Sequence, residues 1–488
     1  MADTTTTKQK VAANLFWRFL ERGGSQIVSF VVSLVLARIL DPAEFGPVSK
    51  VLVITAILTV FVDSGMANAL IQKKDPDDLD FSSVFWFNIC FCLLLYALLF
   101  LFSPLIARMY HEPGLTPILR VLGLVVVIAG VKNVQQAYVS KTLQFRRFFF
   151  ATLGGTLLSA VVGITMARKG FGVWALVAQQ LTSVSVSTAI LWLTVGWRPR
   201  KMFSLERLKS LLRYGWKLFA SQMLDTIYLK IYPLVVGIRY TNADLAFFER
   251  GNSWPNLLTE NINASIDSVL LPVLSAEQDN RTRVRDMTRR AIKTSSYLMM
   301  PMMAGLAACA RPLVKLLLTE KWLPCVPFMQ IYCVIYAFYP LHTANLNAIK
   351  AVGRSDVFLK LEIVKKTLET VVLLITMRFG VIYMALGQLF VSVCAQVINA
   401  WPNRKLLNYS YGTQIMDMLP AILLSLTMCG CVLLVGRTGL GTAATLAIQI
   451  AAGVVFYVAM SLLFRVESFY YILGFLKKRI RPGETTTG

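Results

Sequence analysis

Asn252, Asn256, Thr259, Asn263 and Asp267 recur at spacings of four, three, four and four residues inside the otherwise apolar stretch 252–274. A helix turns once in about 3.6 residues, so these side chains share one face, which Glu260 and Asn261 widen. Amides, a hydroxyl and carboxylates in this pattern donate and accept hydrogen bonds and offer negative charge to a cation, but they pair no nucleophile with a base. The chemistry they suit is recognition of a polar molecule or an ion.

A second such face lies in the preceding apolar stretch, where Ser221, Asp225, Tyr228 and Tyr232 align with Lys230 beside them. Asp225 and Lys230 either pair with each other's neighbours or with Glu260 or Asp267, or Asp225 binds a coupling cation and Lys230 an anion. Towards the start of the chain the polar groups turn cationic: Arg18, Arg22, Ser25 and Ser29 share a face with Glu21 nearby, and Lys132, Asn133, Gln135 and Gln136 lie together. Asp63 and Asn68 mark the far end of the second apolar stretch. Guanidinium groups grip phosphate oxygens with two hydrogen bonds and lysine adds a point charge. Arg18 and Arg22 have the alternative of snorkelling to lipid headgroups. The candidates for substrate contact are therefore Arg18, Arg22, Lys132, Gln136, Lys230, Tyr228, Asn256 and Asn263, and for ion coupling Asp225, Glu260 and Asp267. Pairs at helical spacing, Glu362 with Lys366 and Lys365 with Glu369, read as a solvated helix end, and His342, Asn345 and Asn347 form a further polar patch.

The elements that must carry these residues are membrane helices. The chain of 488 residues is 56% hydrophobic and 15% charged, with a mean hydropathy of +0.61, against about 25% charged residues in a soluble chain. A spanning helix needs about 20 mostly apolar residues, and about fourteen such stretches follow one another. Six occupy 11–37, 48–71, 82–107, 117–139, 149–167 and 173–195; six more occupy 214–238, 252–274, 291–318, 327–349, 358–377 and 381–401; the last two are 414–435 and 440–464. The fold class is all-α and polytopic, with a first lobe over 1–195, a basic connection over 196–213, a second lobe over 214–401, two extra helices over 402–464 and a tail over 465–488. Within the connection, 203–212 reads as a short amphipathic surface helix. Leu36–Gly46 (LARILDPAEFG) follows the first stretch and Gly237–Phe248 (GIRYTNADLAFF) the seventh, a faint internal echo of the kind that repeated transporter halves leave.

A polar face cannot lie against lipid, where each unpaired group costs several kcal/mol, so it lines water or packs on other polar helices. The net charge of +23 is gathered in alternate connections, at 198–213, 281–290, 141–147 and 477–481. That is the positive-inside pattern, which places both termini in the cytoplasm and leaves no need for nucleic acid as a partner. The start of the chain, MADTTTTKQK, lacks a signal-peptide pattern. Eight cysteines and two histidines show no metal-ligand spacing, so neither a metal nor a cofactor is expected. Asp75–Asp80 (DPDDLD) reads as a solvated turn, and no P-loop is present. No catalytic residues stand out.

Phe16–Gly46, Gly65–Asp75 (GMANALIQKKD), Gly172–Leu181 (GVWALVAQQL), Asn261–Gln278 (NINASIDSVLLPVLSAEQ), Leu316–Pro327 (LLLTEKWLPCVP) and Leu341–Asp356 (LHTANLNAIKAVGRSD) carry a further signal. With these segments the chain resembles the bacterial Wzx-type oligosaccharide and polysaccharide flippases of the multidrug/oligosaccharidyl-lipid/polysaccharide exporter superfamily. The likeness runs along nearly the whole chain and weakens over the last two helices. It implies two six-helix lobes about a central cavity, and a cargo of undecaprenyl-pyrophosphate-linked oligosaccharide moved across the bacterial inner membrane. It also implies alternating access coupled to protons or sodium ions, and membrane lipids, a polysaccharide polymerase and glycosyltransferases as partners. A drug or metabolite antiporter of the same superfamily is the alternative. A membrane glycosyltransferase or polymerase fits less well, because the outward connections are short.

Overall fold

The computed structural model describes residues 17, 23–63, 65–437, 439 and 441–480, with the side chains of 214 and 475–480 left aside. The described residues contain helices and no strand. They divide into two compact units, 1–246 and 247–488.

The first unit begins with α1 (Gly23–Ile39). There follow α2 (Pro42–Asp63), α3 (Met66–Gln72), α4 (Asp78–Met109), α5 (Leu115–Leu122), α6 (Leu124–Lys141), α7 (Phe145–Arg168), α8 (Val173–Thr194) and α9 (Leu205–Arg239). Helix α10 (Asn242–Ala276) leads into the second unit. There it is followed by α11 (Arg281–Ala308), α12 (Ala310–Leu317), a 3₁₀ turn at Glu320–Cys325, α13 (Val326–Ala337), α14 (Tyr339–Ala351), α15 (Ser355–Thr376), α16 (Val381–Leu406), α17 (Tyr411–Val435), α18 (Thr442–Leu463) and α19 (Glu467–Ile480).

Helix α4 shows which solvent these elements were built for. Its Ser82, Ser83, Asn88 and Ser103 are fully buried, whereas Leu94, Leu101 and Leu105 are 54%, 69% and 54% exposed. Polar side chains inside and leucines outside invert the rule of water-soluble folds and match a hydrocarbon surround. Among the described residues, nine helices or helix pairs are long and apolar enough to cross a membrane. A tenth is α11 with α12, bent by 65°. The protein is a multi-pass membrane protein.

The remaining expected spans coincide with α1, short as described, and with α9, α10 and α15, whose charges lower their hydropathy. Helices α9 and α10 have 35 residues each, about 50 Å at about 1.5 Å per residue, well beyond a hydrocarbon core of about 30 Å.

Helix α9 packs against α2, α3 and α4. Two close approaches allow this. At one end Gly65, at φ 69°, faces the carbonyl of Gly215, where an added Cβ would lie 2.2 Å from that oxygen. Just beyond the other end Gly46 faces Asn242, where a Cβ would lie 2.3 Å from the Asn242 Cβ.

Three expectations are corrected here. Residues 203–212 are not a separate surface helix: Ser204 caps α9, which runs unbroken from Leu205, and the preceding backbone is held on α4 by the amides of Arg200 and Ser204 donating to Ser82 and Ser83 at 3.1 and 2.9 Å. Asp75–Asp80 is not merely solvated. Asp77 and Asp80 form a reciprocal capping box, and fully buried Asp80 pairs with Lys73 and lies 3.8 Å from Arg207. Asp78 takes Arg200 at 3.1 Å. The acidic turn thus sits against Lys73 on its own side, Arg200 of the connection that follows α8 and Arg207 at the start of α9. Hydrogen bonding from the Asp80 amide, with Arg207 nearby, holds the Asp77 carboxyl below its ordinary value. Finally, the arginines from 281 to 290 are not a loop but the first turns of α11, started by Asn280, which accepts from the Arg283 amide at 3.1 Å.

The second unit has one broad core in which α11 packs on α13, α14 and α17. Arg289 on α11 makes a two-pronged pair with Asp417 on α17 (2.7 and 2.6 Å), and Lys293 reaches Glu467 on α19 at 2.9 Å. On α15, Lys365 bonds Glu362 at 2.6 Å and Lys366 bonds Glu369 at 3.3 Å, so the helix uses a three-residue spacing for these pairs.

Candidate functional site

The polar stripe of α10 forms because its amides and carboxylates fall on one side, and three residues of that side bond α13 and α14 of the second unit. The Tyr336 hydroxyl donates to Asn252 at 2.8 Å, the Thr343 hydroxyl to Asn263 at 2.5 Å, and the Asn347 amide to Asp267 at 2.6 Å. Buried Thr259 donates to its own backbone at Pro255. Asn256 donates along the helix to Glu260 at 2.8 Å, and Glu260 is exposed. The stripe is therefore partly a helix seam, with Glu260 and Asn261 on its exposed margin.

Behind the seam lies an amide lattice that sequence periodicity did not reveal. Asn345 exchanges hydrogen bonds with Gln414 (2.7 and 3.0 Å) and accepts from Asn403 at 2.6 Å, all three side chains being buried. His342 pairs with Asn399 at 3.0 Å. An asparagine at 345, a glutamine at 414 and an asparagine at 403 lie in three different helices, so no local spacing links them.

In the first unit the four polar residues of α6 diverge. Lys132 donates to Ser187 on α8 at 3.1 Å. Asn133 donates to Asp63 at 2.7 Å, and Gln135 to the Trp197 carbonyl at 3.2 Å. Gln136, one turn beyond Lys132, is half-buried. Asn133 and Gln135 are used in packing; Lys132 and Gln136 keep one face. On α9, Asp225 is exposed and Lys230 half-buried, and neither has a side-chain partner among the described residues; Tyr228 is half-buried on the same helix. Arg18 and Arg22 lie outside the described residues.

A second cluster in the first unit holds Lys50, 4% exposed, against Glu112, 26% exposed, at 2.8 Å. The other oxygen of Glu112 accepts from Asn242 at 3.0 Å, and the ammonium lies 5.3 Å from the Tyr110 ring centre. Lys50 sits within the second apolar stretch, where sequence reading passed over it; a lone lysine in such a run is itself the signal.

The first unit also contains a cavity of about 310 Å³ between α1, α2, α7 and α8, lined by Ser29, Ser49, Gln179, Gln180 and Ser183 among others. Of these the sequence singled out Ser29 alone. The paired glutamines at 179 and 180 were the available sign of the rest.

The chain is similar to known proteins along most of its length. A family model described as "Polysaccharide biosynthesis protein" matches residues 35–327. The chain is 26% identical over 354 residues to the succinoglycan biosynthesis transport protein ExoT of Rhizobium meliloti (strain 1021), covering 72% of both chains. It is 27% identical over 409 residues to the lipopolysaccharide biosynthesis protein WzxC of Escherichia coli (strain K12), covering 82% of both. In fold it is similar to the lipid II flippase MurJ in an inward closed conformation, with a TM-score of 0.75 at 15% identity over 92% of this chain and 99% of that one. A multidrug resistance MATE family transporter in an inward-facing conformation matches with a TM-score of 0.59 at 15% identity, over 81% and 95%. With more than half of its sequence inside the matched region, the chain belongs to the polysaccharide biosynthesis protein family.

Proposed function

We propose that the protein is a flippase that carries undecaprenyl-pyrophosphate-linked oligosaccharide from the inner to the outer leaflet of a bacterial cytoplasmic membrane, for assembly of a cell-surface polysaccharide. The observation that carries this reading is the likeness over 82% of the chain to a lipopolysaccharide biosynthesis protein, together with that to a succinoglycan transport protein. The physics is consistent. Sugar hydroxyls cannot cross about 30 Å of hydrocarbon without losing their hydrogen bonds to water. Side chains such as Asn256, Asn263, Gln136 and Tyr228 replace those bonds, while Lys132 and Lys230, with Arg18 and Arg22, offset the pyrophosphate charge. The translocation makes and breaks no covalent bond, so the protein acts as a transporter rather than an enzyme, by alternating access with both termini cytoplasmic. Asp225, exposed on α9, is the first candidate for a coupling proton or sodium ion, ahead of Glu260 and Asp267, which accept from Asn256 and Asn347. A polymerase and glycosyltransferases act on the same carrier lipid before and after it.

Deleting the gene in its host and analysing carrier-linked intermediates tests the reading. Loss of surface polymer with complete repeat units trapped on the cytoplasmic leaflet is the expected result. Normal polymer with altered resistance to toxic cations would replace it with the antiporter reading, and truncated repeat units would indicate an enzyme. In the complemented strain, Lys132→Ala is expected to lower export while leaving membrane insertion intact.

A further inference from the structure

Among the described residues, the cavity between α1, α2, α7 and α8 has no charged side chain in its lining. The side chains of Ser29, Ser49, Gln179, Gln180 and Ser183 have no hydrogen-bond partner among the described residues. Two further hydroxyls, Thr156 and Ser159, donate to their own helix at 2.8 and 2.9 Å, which leaves their lone pairs free to accept from within the cavity. Gln179 is held in place: Gly163 on α7 packs so closely on it that an added Cβ would lie 3.0 Å from the Gln179 Cβ. Phe45, Val48 and three leucines form the apolar part of the wall.

Half-buried or exposed amide and hydroxyl groups without a protein partner hydrogen-bond whatever fills the cavity, water or a polar ligand. Each glutamine and each hydroxyl offers both donor and acceptor, which matches alcohol groups and matches neither an anion nor a cation alone. Among the described lining residues there is no arginine or lysine to pair with a pyrophosphate and no carboxylate to pair with a coupling ion. An apolar wall facing polar groups suits a sugar ring, whose C–H face packs on Phe45 while its hydroxyls meet the amides. The volume of about 310 Å³ lies at the small end of ligand pockets, room for a sugar ring and not for a whole repeat unit.

We propose that this cavity is a glycan subsite, which takes an uncharged sugar ring of the lipid-linked substrate separately from the cationic residues that take its pyrophosphate. It rests on the transport reading above and adds to it where the sugar is recognised.

The test uses the full chain in lipid nanodiscs, with Ser183→Cys placed in a background whose native cysteines are alanine, and follows alkylation by a water-soluble maleimide. Two probes are compared: undecaprenyl pyrophosphate alone, and the same lipid bearing the host's complete repeat unit. The glycolipid is expected to slow alkylation about tenfold, the bare lipid hardly at all. Equal protection by both, protection by neither, or protection by sodium chloride would each overturn the subsite. If the cysteine-free chain does not fold, Gln179→Leu and Gln180→Leu in the native chain serve instead. Liposome flipping of the glycolipid is then expected to fall about tenfold, the equivalent of one lost hydrogen bond, with flipping of the bare lipid unchanged. Equal falls for both lipids, or no fall, would overturn it. Whether the unmodified chain restores surface polymer to the deletion strain is read separately, so the transport reading can fail or stand independently.

Discussion

Two turns lie 200 residues apart in the first unit, at Leu36–Gly46 and Val236–Ala246, and their backbones repeat almost residue for residue. In each, the preceding helix closes with an amide four residues on, Leu40 to Leu36 and Tyr240 to Val236, both at 2.9 Å. In each, a new helix starts at the next equivalent position, Pro42 or Asn242, with a carboxylate bonded back to the capping residue. Glu44 accepts from the Asp41 amide at 2.8 Å, and Asp244 from the Thr241 amide at 3.2 Å. The side chains differ where the two turns touch. Gly46 has Ala246 as its counterpart, and Pro42 has Asn242. It is Asn242 that fills the space above Gly46 and reaches Glu112. The comparison teaches that capping chemistry is preserved because it makes the turn, whereas identities diverge where one copy of the turn must pack on the other.

The largest effect is expected from breaking the cluster that fixes this contact. Lys50→Met leaves the Glu112 carboxylate without its cation and is expected to cost about 3 kcal/mol. It should appear as the largest fall in melting temperature, and the double variant Lys50→Met, Glu112→Gln should recover part of it. Equal falls for single and double variants would mean that the pair does not couple. Gly46→Ala comes next, at about 1–3 kcal/mol, because the added methyl meets the Asn242 backbone and not only its side chain. Adding Asn242→Ala should therefore not rescue it, and rescue would show that the side chain alone is in the way. Glu44→Ala and Asp244→Ala are each expected to cost about 1 kcal/mol through the lost bond to the Asp41 or Thr241 amide. Similar shifts in thermal unfolding would confirm that the turns are equivalent, and a shift at one alone would break the comparison. Ala246→Gly, which only loosens a helix, should cost about 0.5–1 kcal/mol and remain the smallest.

The two helices that meet at the second turn differ in another way. On α10 the polar residues Asn252, Asn263 and Asp267 are engaged by α13 and α14, while on α9 Asp225 and Lys230 have no side-chain partner among the described residues. Cysteine at 225 or at 256 is expected to react with water-soluble thiol reagents, and cysteine at 345, inside the buried amide lattice, is not. Equal reactivity at all three positions would remove the distinction.

The sequence alone determined that the chain is a bundle of membrane helices, because hydrocarbon compels every backbone group to bond within its own helix, and that demand is written locally as long apolar runs. It hinted at the paired turns through the faint echo of Leu36–Gly46 in Gly237–Phe248, whereas the backbones match in a register one residue earlier. It also marked α10 as a helix with one polar face. Only the tertiary structure decided which polar groups are spent on packing. Asn133 serves Asp63 while Lys132, one residue before it, serves Ser187; Asn345, Asn403 and Gln414 join from three helices; and Ser29, Ser49, Gln179 and Gln180 converge on one cavity. Periodicity tells which side of a helix a residue occupies. The neighbour on that side is set by long-range packing, which no local spacing encodes.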